Sequence, residues 1–299
     1  MSYLPVSYYD IGSARDQIAT CLGEGSLALF VGAGASKGVG LPLWWELVKT
    51  CAEAAGLPHD DISDQTPNET LRSKMEDVEA QSADSSQYLS LVHNSLYEGV
   101  QYDQSIVAHR LLIAFGALLM SSRRGSIRKV VTFNYDDVLE WYLGLHGFST
   151  QIICKQPILE RDVDVGIYHV HGFLPKDLPQ TQWSDSIILS KYSYDERMSD
   201  HTNLWKHVIQ HVLLSKIGLF VGLSGNDPTF GPFLLDVKRS LATEGVDARP
   251  TAFWLLTKKD EASAAELHRR NVVPLFFDSP DDFPGFLLSV CQKAAERTG

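Results

Sequence analysis

Short apolar runs of strand length recur along this chain, and stretches with a helical spacing of apolar residues separate most of them. Most of the apolar runs are continuous rather than alternating, which is typical of strands covered on both faces of a parallel sheet. The predicted strands are Leu27–Val31, Lys129–Phe133, Ile152–Cys154, Gly166–Val170, Ile187–Leu189, Ile217–Val221, Ala252–Leu256 and Val272–Phe277.

The segments between these strands favour helices. Several begin with a helix-starting signal, such as Asp227 before Pro228, where a carboxylate caps the helix and proline takes its first position. The predicted helices are Asp10–Leu22, Trp44–Ala55, Ser105–Ser121, Tyr135–Leu145, His201–Ser215, Phe230–Thr243 and Asp260–Arg270. The alternation predicts an α/β fold in which crossover helices cover both faces of a mostly parallel sheet.

The connection between the first and second predicted strands is unusually long. It contains about a hundred residues, far more than one crossover requires. The surplus, at about residues 50–126, predicts a helical insertion within a single domain of residues 1–299. A lid over a ligand site and simple packing of an extra layer are both open interpretations of this insertion.

Composition excludes several classes of protein. The formal net charge of −11 argues against direct nucleic-acid binding, which normally requires a basic face. The cysteines at 21, 51, 154 and 291 form no CxxC pair, so neither a zinc ribbon nor a disulfide framework is indicated, and a reducing cytoplasm fits best. The most apolar stretch, Ile106 to Met120, is interrupted by charge and is too short for a membrane span, so no membrane partner is expected.

The first candidate for chemistry is the glycine-rich string Gly32–Ser36, which follows the predicted strand Leu27–Val31. A strand that runs into such a turn commonly holds a diphosphate. The third glycine of the dehydrogenase fingerprint is missing, however, and a tight turn alone would also explain the glycines. Ser36 is either a phosphate or ribose ligand or the N-cap of the next helix.

The second and third candidates follow two later strands. Thr132, Asn134 and Asp136 alternate at the end of a buried strand, at the edge where open α/β sheets bind ligands. Helix capping is an equally plausible role for the asparagine and the aspartate. His171 ends another strand, and a histidine there is either a general base near neutral pH or a structural residue. His169, two residues earlier, is interpreted as its structural neighbour.

Taken in order, these motifs resemble the sirtuin family, and most closely the divergent sirtuin-like domains of bacterial anti-phage defence proteins. The similarity extends over about residues 26–228 and is followed by a final strand and helix like those of the family. The strings that carry the resemblance are Gly32–Ser36, Gly40–Trp44, Thr132–Asp136, His171–Gly172, Ile188–Ser190, Val221–Ser224 and Gly225–Pro228.

The resemblance implies a Rossmann-like domain that binds NAD+, with Asn134 and His171 as the catalytic residues. The glycine turn would hold the diphosphate, the residues after the second strand would lie at the nicotinamide and its ribose, and the later glycine and serine would contact phosphate and ribose. The implied NAD+-binding residues are Gly32, Ala33, Gly34, Ser36, Thr132, Asp136, Gly222 and Ser224.

Two departures from the family pattern bear on the activity. Protein-deacylating sirtuins carry a four-cysteine zinc module after the catalytic histidine, whereas this chain has no cysteine between Cys154 and Cys291. Their arginine after a proline-aspartate-phenylalanine string is also missing, because Leu43, Trp44 and Trp45 stand there. The resemblance therefore implies no bound metal, and it favours the NAD+ hydrolysis of the defence-associated relatives over deacylation.

The leading hypothesis is an NAD+ glycohydrolase that depletes NAD+ in anti-phage defence. Asn134 would orient water and the ribose, His171 would act as the base, and Asp136 would fix nicotinamide or a neighbouring donor. An NAD-dependent protein deacylase or ADP-ribosyltransferase is the enzymatic alternative. The second alternative is a non-catalytic NAD-sensing or assembly module.

Regulation is also inferred from the resemblance, since an unrestrained NAD+ hydrolase would deplete its own host. The expected partners are NAD+ itself and a second copy of the chain or a separate regulatory protein, for which an ATPase is one candidate. An alternative to a separate partner is that this chain is a fragment of a longer protein, and the sequence leaves this open.

Overall fold

The computed structural model describes most of the chain, with gaps between eight described segments. The described residues are 3–120, 125–155, 157–177, 187–193, 204–224, 230–243, 249–257 and 261–298. The predicted helix start at Asp227 and Pro228 and the string Gly225–Pro228 lie outside these segments, as do residues 201–203 of a predicted helix.

Within the described residues, seven parallel strands form one sheet in the order β3-β4-β2-β1-β5-β6-β7. The strands are β1 Leu27–Val31, β2 Lys129–Thr132, β3 Thr150–Ile153, β4 Val165–His169, β5 Ile217–Val221, β6 Ala252–Leu256 and β7 Val272–Phe276. The fold is α/β and Rossmann-like, as the sequence predicts.

The strand order reverses beside β1, the central strand. Leu29 pairs with Val130 of β2 on one side and with Leu219 of β5 on the other. The chain builds β2, β3 and β4 on the first side before it returns to build β5, β6 and β7 on the second. Open parallel sheets bind ligands outside the carboxyl ends of their strands at such a reversal, so this edge is where a site is expected.

The continuous apolar pattern of β1 reflects burial on both faces of the sheet. All five of its residues are buried. Leu27, Leu29 and Val31 belong to the apolar core on one face, and Ala28 and Phe30 belong to the core on the other. Because successive side chains of a strand point to opposite faces, a strand between two cores has no polar positions to alternate with.

Helices cover both faces of this sheet. They are α1 Ile11–Gly23, α2 Trp44–Ala54, α3 Asn68–Gln81, α4 Ser85–Tyr97, α5 Gln104–Val107, α6 Arg110–Leu119, α7 Val138–Leu145, α8 Leu204–Ser215, α9 Phe230–Thr243, α10 Glu261–Arg269 and α11 Phe283–Thr298. Side chains of α8, α9 and α10 pack into one core, and those of the other helices pack into the other. No helix in the described part of the chain is long and apolar enough to cross a membrane.

The long connection between β1 and β2 is helical, as predicted, and contains α2 to α6. Both α3 and α4 pack against α2. Leu71 and Met75 of α3 are buried in the same apolar core as Leu47 of α2. The insertion is therefore joined to the rest of the molecule by a shared core.

The prediction of one helix over Ser105–Ser121 was wrong. The segment forms two helices, α5 and α6, and the backbone between them is extended at His109, with φ −67 and ψ 117. The His109 ring occupies the space beside Gly38, where its Nε2 atom lies 2.2 Å from the position of a Cβ atom. The break between α5 and α6 therefore coincides with packing of the His109 ring against the turn after β1.

The prediction of a strand at Ile187–Leu189 was also wrong. The backbone N–H of Ile188 donates to the carbonyl oxygen of His171 at 2.8 Å, and its carbonyl accepts from the Tyr135 hydroxyl at 2.7 Å. The segment is apolar because Ile187, Ile188 and Leu189 are buried against loops, and its polar backbone groups are satisfied there rather than in the sheet.

Two further boundaries differ from the sequence prediction. The helix expected to start at Tyr135 begins at Val138, because Asp136 accepts a hydrogen bond from the Val138 N–H and residues 134–137 form a loop. The third strand begins at Thr150, two residues before the predicted Ile152.

The turns that follow β1 and β5 contact each other through their backbones. The Gly34 N–H donates to the Gly222 carbonyl at 2.9 Å, and the Gly32 N–H donates to the Val221 carbonyl at 3.1 Å. A Cβ atom on Gly222 would lie 2.4 Å from the Ala35 nitrogen, and Gly222 has a φ of +73°. Glycine at this position allows both the close approach and the left-handed backbone.

We expect Gly222→Ala to reduce the free energy of unfolding by on the order of 3 kcal/mol or more, because alanine would combine a left-handed backbone with a steric clash. Gly147 provides the control, since it has a φ of +78° and nothing within 4 Å of a Cβ position. Gly147→Ala should lose only about 1–2 kcal/mol. Chemical denaturation measures both free energies of unfolding. Equal losses in the two variants would show that the close approach of the two turns adds nothing to the cost of alanine at residue 222.

Candidate functional site

A cavity of about 710 Å³ opens at the carboxyl edge of the sheet. The turns after β1, β2, β4 and β5 form its floor, and β6 and β7 contribute its far end. The segment from Pro42 to Trp45 forms one wall, and the insertion extends this wall with residues from Asp64 to Arg72. The cleft therefore lies at the strand-order reversal and extends beneath the insertion.

Most of the residues predicted from the sequence come together in this cleft. Those that line it are Gly32, Ala33, Gly34, Asn134, Asp136, His171, Gly222 and Ser224. Ser36 and Thr132 line a small adjoining cavity behind the cleft, together with the far side of Asn134 and Asp136. The structure thus brings eight of the ten predicted residues to the cleft wall and places the other two behind it.

The glycine turn lines the cleft, but four of its five backbone amides, from Gly32 to Ser36, donate within the protein. Besides the two bonds that join it to the turn after β5, the Ala35 N–H donates to the Gly32 carbonyl at 2.9 Å, and the Ser36 N–H donates to the Ala33 carbonyl at 3.1 Å. The position of the turn, rather than a set of open amides, is what supports a role in ligand binding.

A chain of polar side chains lies immediately behind the cleft wall. The Asn134 Nδ2 atom donates to the Ser36 hydroxyl at 3.1 Å, and that hydroxyl donates to Asp136 Oδ1 at 3.2 Å. The Asn134 backbone N–H donates to the Thr132 hydroxyl at 3.1 Å. All four residues are buried. Ser36 and Thr132 therefore hold Asn134 in place from two sides.

This series of hydrogen bonds fixes the orientation of the Asn134 side-chain amide. The Ser36 hydroxyl has one hydrogen, which it gives to the Asp136 carboxylate, so it accepts from Asn134 and must face the Nδ2 atom. The Oδ1 atom then faces away from Ser36. Among the described residues, this buried oxygen has no hydrogen-bond partner. A buried acceptor at a cleft wall is well placed to bind a donor from a ligand or from water.

Asp136 is a buried carboxyl group close to a second one. Burial and the nearby Glu140 carboxylate raise the pKa of Asp136 to about 6, although the Val138 N–H and the Ser36 hydroxyl favour its charged form. A carboxyl group that titrates close to neutral pH changes its hydrogen-bonding role over a range in which proteins remain folded.

His171 stands at the cleft wall between two aromatic rings. Its ring contacts Phe133 edge-on, with centroids 5.1 Å apart, and is stacked at an angle of 29° to the Tyr135 ring, with centroids 6.5 Å apart. The following residue, Gly172, has a φ of +101°, which turns the chain immediately after the histidine. The aromatic contacts restrict the imidazole, and His171 lines the cavity.

His169 occupies a different place, as predicted for a structural neighbour. Its side chain is 1% exposed and lies behind the cleft, where Nδ1 is 3.1 Å from the Asn134 carbonyl oxygen and Nε2 is 2.6 Å from Glu140 Oε1. Burial lowers the pKa of His169, but the Glu140 carboxylate and the hydrogen bonds outweigh burial and raise it overall.

Two features of the site were missed in the sequence. Trp45 lines the cleft, and its buried indole N–H has no hydrogen-bond partner among the described residues. Asp137 accepts from the hydroxyls of Tyr97 and Tyr102 of the insertion at 3.1 and 2.5 Å. Both members of the double tryptophan line the cleft. The double aspartate was a visible signal, but only the fold shows that Asp136 faces the cleft whereas Asp137 binds the insertion.

Comparison with known proteins gives two matches. Residues 128–275 match the SIR2-like domain, which covers the chain from the start of β2 into β7. The chain is also 23% identical over 295 residues to the NAD(+) hydrolase ThsA of Cytobacillus dafuensis. That alignment covers 91% of this chain and 54% of the relative, so the chain spans about half the length of the relative.

The resemblance to the sirtuin-like family is confirmed, because residues 128–275 match the SIR2-like domain. The matched region contains Asn134, Asp136, His171, Gly222 and Ser224. The glycine turn after β1 and the helical insertion lie before it. In the part of the chain that the structure describes, no group of three or more histidine, cysteine, aspartate or glutamate side chains is arranged to hold a metal ion.

We expect Asp136→Asn to be more stable than the wild-type protein above pH 6. The folded-state pKa of about 6 lies above the ordinary value of 3.8, so the folded wild-type protein binds the extra proton between these values. Its stability therefore falls as the pH rises through that window. The neutral amide avoids this loss, and the gain should reach at most about 3 kcal/mol.

Unfolding free energies measured between pH 4 and pH 8 test this expectation. The difference between the two proteins should be small near pH 4 and should grow up to about pH 6. Asp162→Asn is the control, because Asp162 is exposed. Stability curves for Asp136→Asn and wild type that run parallel across the whole range would contradict the assignment of a raised pKa.

Proposed function

We propose that this chain is an NAD+ glycohydrolase, which cleaves NAD+ to nicotinamide and ADP-ribose. The observation that carries the proposal is the buried Asn134 Oδ1 acceptor, which shares the wall of a cleft of about 710 Å³ with His171. The similarity to a protein named NAD(+) hydrolase supports the choice of substrate. A cleft of this size suits an extended dinucleotide.

In this proposal NAD+ lies along the carboxyl edge of the sheet. The diphosphate lies at the turn Gly32–Gly34 and contacts the neighbouring turn of Gly222 and Ser224. The nicotinamide and its ribose lie at Asn134, Asp136 and His171. Ser36 and Thr132 contribute indirectly, since both bind Asn134 rather than line the cleft.

The proposed reaction breaks the bond between the ribose C1′ atom and the nicotinamide nitrogen. The bonding electrons leave with nicotinamide, whose ring nitrogen loses its positive charge. The oxygen of a water molecule bonds to C1′, and the proton released from that water passes to His171. The Asn134 Oδ1 atom accepts a hydrogen bond from the water or from a ribose hydroxyl, which favours the geometry of attack on the oxocarbenium-like transition state.

Asp136 has a supporting part in this mechanism. In its ionised form it accepts the Ser36 hydrogen and thereby keeps the Asn134 Oδ1 atom facing away from Ser36. Protonation below about pH 6 removes the need for the serine hydroxyl to donate to Asp136, so the amide is no longer held in one orientation. Activity is accordingly expected to require ionised Asp136.

The wider biological role is proposed from the same similarity. We propose that residues 1–299 form a single NAD+-binding domain and that its activity serves anti-phage defence. A second copy of the chain or a separate regulatory protein would control when NAD+ is consumed, because continuous hydrolysis would exhaust the NAD+ of the cell.

Replacing either catalytic candidate should reduce turnover sharply. Asn134→Ala removes the cleft acceptor and His171→Ala removes the base, so each should lower kcat by at least about 100-fold. Release of nicotinamide from NAD+ by the purified protein measures this. Asn94→Ala and His146→Ala are matched controls at exposed positions and should keep wild-type activity.

The same experiment separates the competing functions. If the wild-type protein binds NAD+ in calorimetry but releases no nicotinamide, a sensing module replaces the glycohydrolase. If nicotinamide is released only when an acylated or acceptor protein is added, a deacylase or ADP-ribosyltransferase replaces it. Full activity in Asn134→Ala or in His171→Ala would remove that residue from the mechanism.

A further inference from the structure

His169 is buried between two hydrogen-bond acceptors. Its Nδ1 atom lies 3.1 Å from the backbone carbonyl oxygen of Asn134, and its Nε2 atom lies 2.6 Å from Glu140 Oε1. The side chains of His169 and Glu140 are only 1% and 9% exposed. Water therefore has little access to this pair, and its hydrogen bonds must be satisfied within the protein.

The two contacts determine how many hydrogens the pair holds. A carbonyl oxygen only accepts, so Nδ1 must carry a hydrogen. An ionised Glu140 also only accepts, so Nε2 must then carry a second hydrogen and the imidazole is positively charged. If Glu140 is protonated instead, it donates to a neutral imidazole. In both cases one proton is shared between His169 and Glu140, beyond the hydrogen that binds Asn134.

The backbone carbonyl that His169 contacts belongs to Asn134, the residue whose side chain provides the acceptor in the cleft wall. Thr132 accepts the Asn134 N–H, Ser36 accepts the side-chain Nδ2–H, and His169 donates to the Asn134 carbonyl. The three contacts leave the Oδ1 atom as the acceptor of Asn134 that has no partner among the described residues. Loss of the His169 hydrogen bond would release the backbone just where β2 ends and the loop begins.

We propose that His169 and Glu140 form a positioning pair that holds Asn134 for catalysis through their shared proton. This inference rests on the proposed function, since it assigns a role to the support of a residue that acts there. Neither residue lines the cleft, so the pair acts through Asn134 rather than on the substrate.

Loss of the shared proton has a defined structural consequence. A neutral imidazole facing an ionised Glu140 keeps one hydrogen, and the charge-assisted bond to the carboxylate draws it to Nε2. Nδ1 then turns a lone pair toward the Asn134 carbonyl, and the two acceptors repel. The groups that face His169 are Glu140 of α7, Asp136 and the Asn134 carbonyl from the loop before α7, and the Phe173 ring after β4. Both carboxylates favour the charged imidazole, so this loss occurs above the ordinary pKa of histidine.

Glu140→Gln tests the pair without removing its hydrogen bonds. The glutamine amide donates to Nε2 while a neutral His169 keeps its hydrogen on Nδ1, so Asn134 stays bound at all pH values at which the imidazole is neutral. The wild-type kcat should fall about tenfold for each pH unit above the pKa of His169. In Glu140→Gln this fall should be absent, while the activity below the pKa of wild-type His169 stays within a few-fold of wild type.

The protein offers a control in a second histidine that faces the same two types of group, a backbone carbonyl and a glutamate, but at a more exposed position. His59 Nδ1 lies 3.0 Å from the Leu57 carbonyl oxygen, and its Nε2 lies 4.0 Å from Glu53, whose side chain is 67% exposed. Neither His59 nor Glu53 lines the cleft. Glu53→Gln should leave the pH profile of kcat unchanged.

Nuclear magnetic resonance of histidine-labelled protein gives a readout that does not depend on activity. The wild-type His169 should show hydrogens at both ring nitrogens, or one at Nδ1 and one on Glu140, at neutral pH. The side-chain amide signals of Asn134 should shift along with His169 as the pH rises. In Glu140→Gln, His169 should hold one hydrogen at Nδ1, and the Asn134 signals should no longer follow that titration.

The outcomes separate this inference from the proposed function. A pH-dependent Asn134 signal that vanishes in Glu140→Gln supports the positioning pair even if no NAD+ is hydrolysed, in which case the proposed function alone fails. A fall in kcat above the pKa of wild-type His169 that persists in Glu140→Gln would overturn the pair while leaving NAD+ hydrolysis intact. Asn134 signals that do not change with the titration of His169 would do the same.

Discussion

The backbone contact between the turns after β1 and β5 is the constraint on which the rest of the site depends. The Gly34 N–H reaches the Gly222 carbonyl directly, and no side chain fits between these turns. The contact brings together two strands that are adjacent in the sheet but separated by most of the chain. It closes the floor of the cleft and fixes the place from which Ser36 reaches Asn134. The first role of glycine here is to allow the backbones of the two turns to approach each other closely. Contact with a ligand is its second role.

Behind that floor the protein buries polar groups at a cost in stability. Asp136 and Glu140 are neighbouring carboxyl groups, and the fold offsets their burial with Ser36, the Val138 N–H and His169. Such a network is expensive unless every member is satisfied, and it then holds its members in one arrangement. Rigid support behind the wall and an unsatisfied acceptor buried within it are the properties that a preorganised catalytic site requires.

The helical insertion is fastened to the same loop from the other side. Tyr97 and Tyr102 donate to Asp137, which is adjacent to Asp136, and the Tyr97 hydroxyl also contacts the Leu174 carbonyl after β4. Further along, Lys191 pairs with Glu69 of α3. The loops that carry Asn134 and His171 are thus tied to the insertion, so the wall and the floor of the cleft are parts of one hydrogen-bonded structure.

The sequence by itself determined the parallel sheet, the order of the helices and the insertion, because burial on two faces leaves a continuous apolar run such as Leu27–Val31. It failed where apolar residues are buried outside the sheet, as at Ile188, whose backbone bonds to loops. Only the tertiary structure decided that Ser36 binds residues 98 and 100 positions away, and that His169 binds Glu140 while His171 lines the cleft. The periodicity of apolar residues indicates which face of a strand or helix a side chain occupies. It does not indicate hydrogen-bond partners that are distant in sequence, because these depend on how the ends of the strands are arranged in the folded sheet.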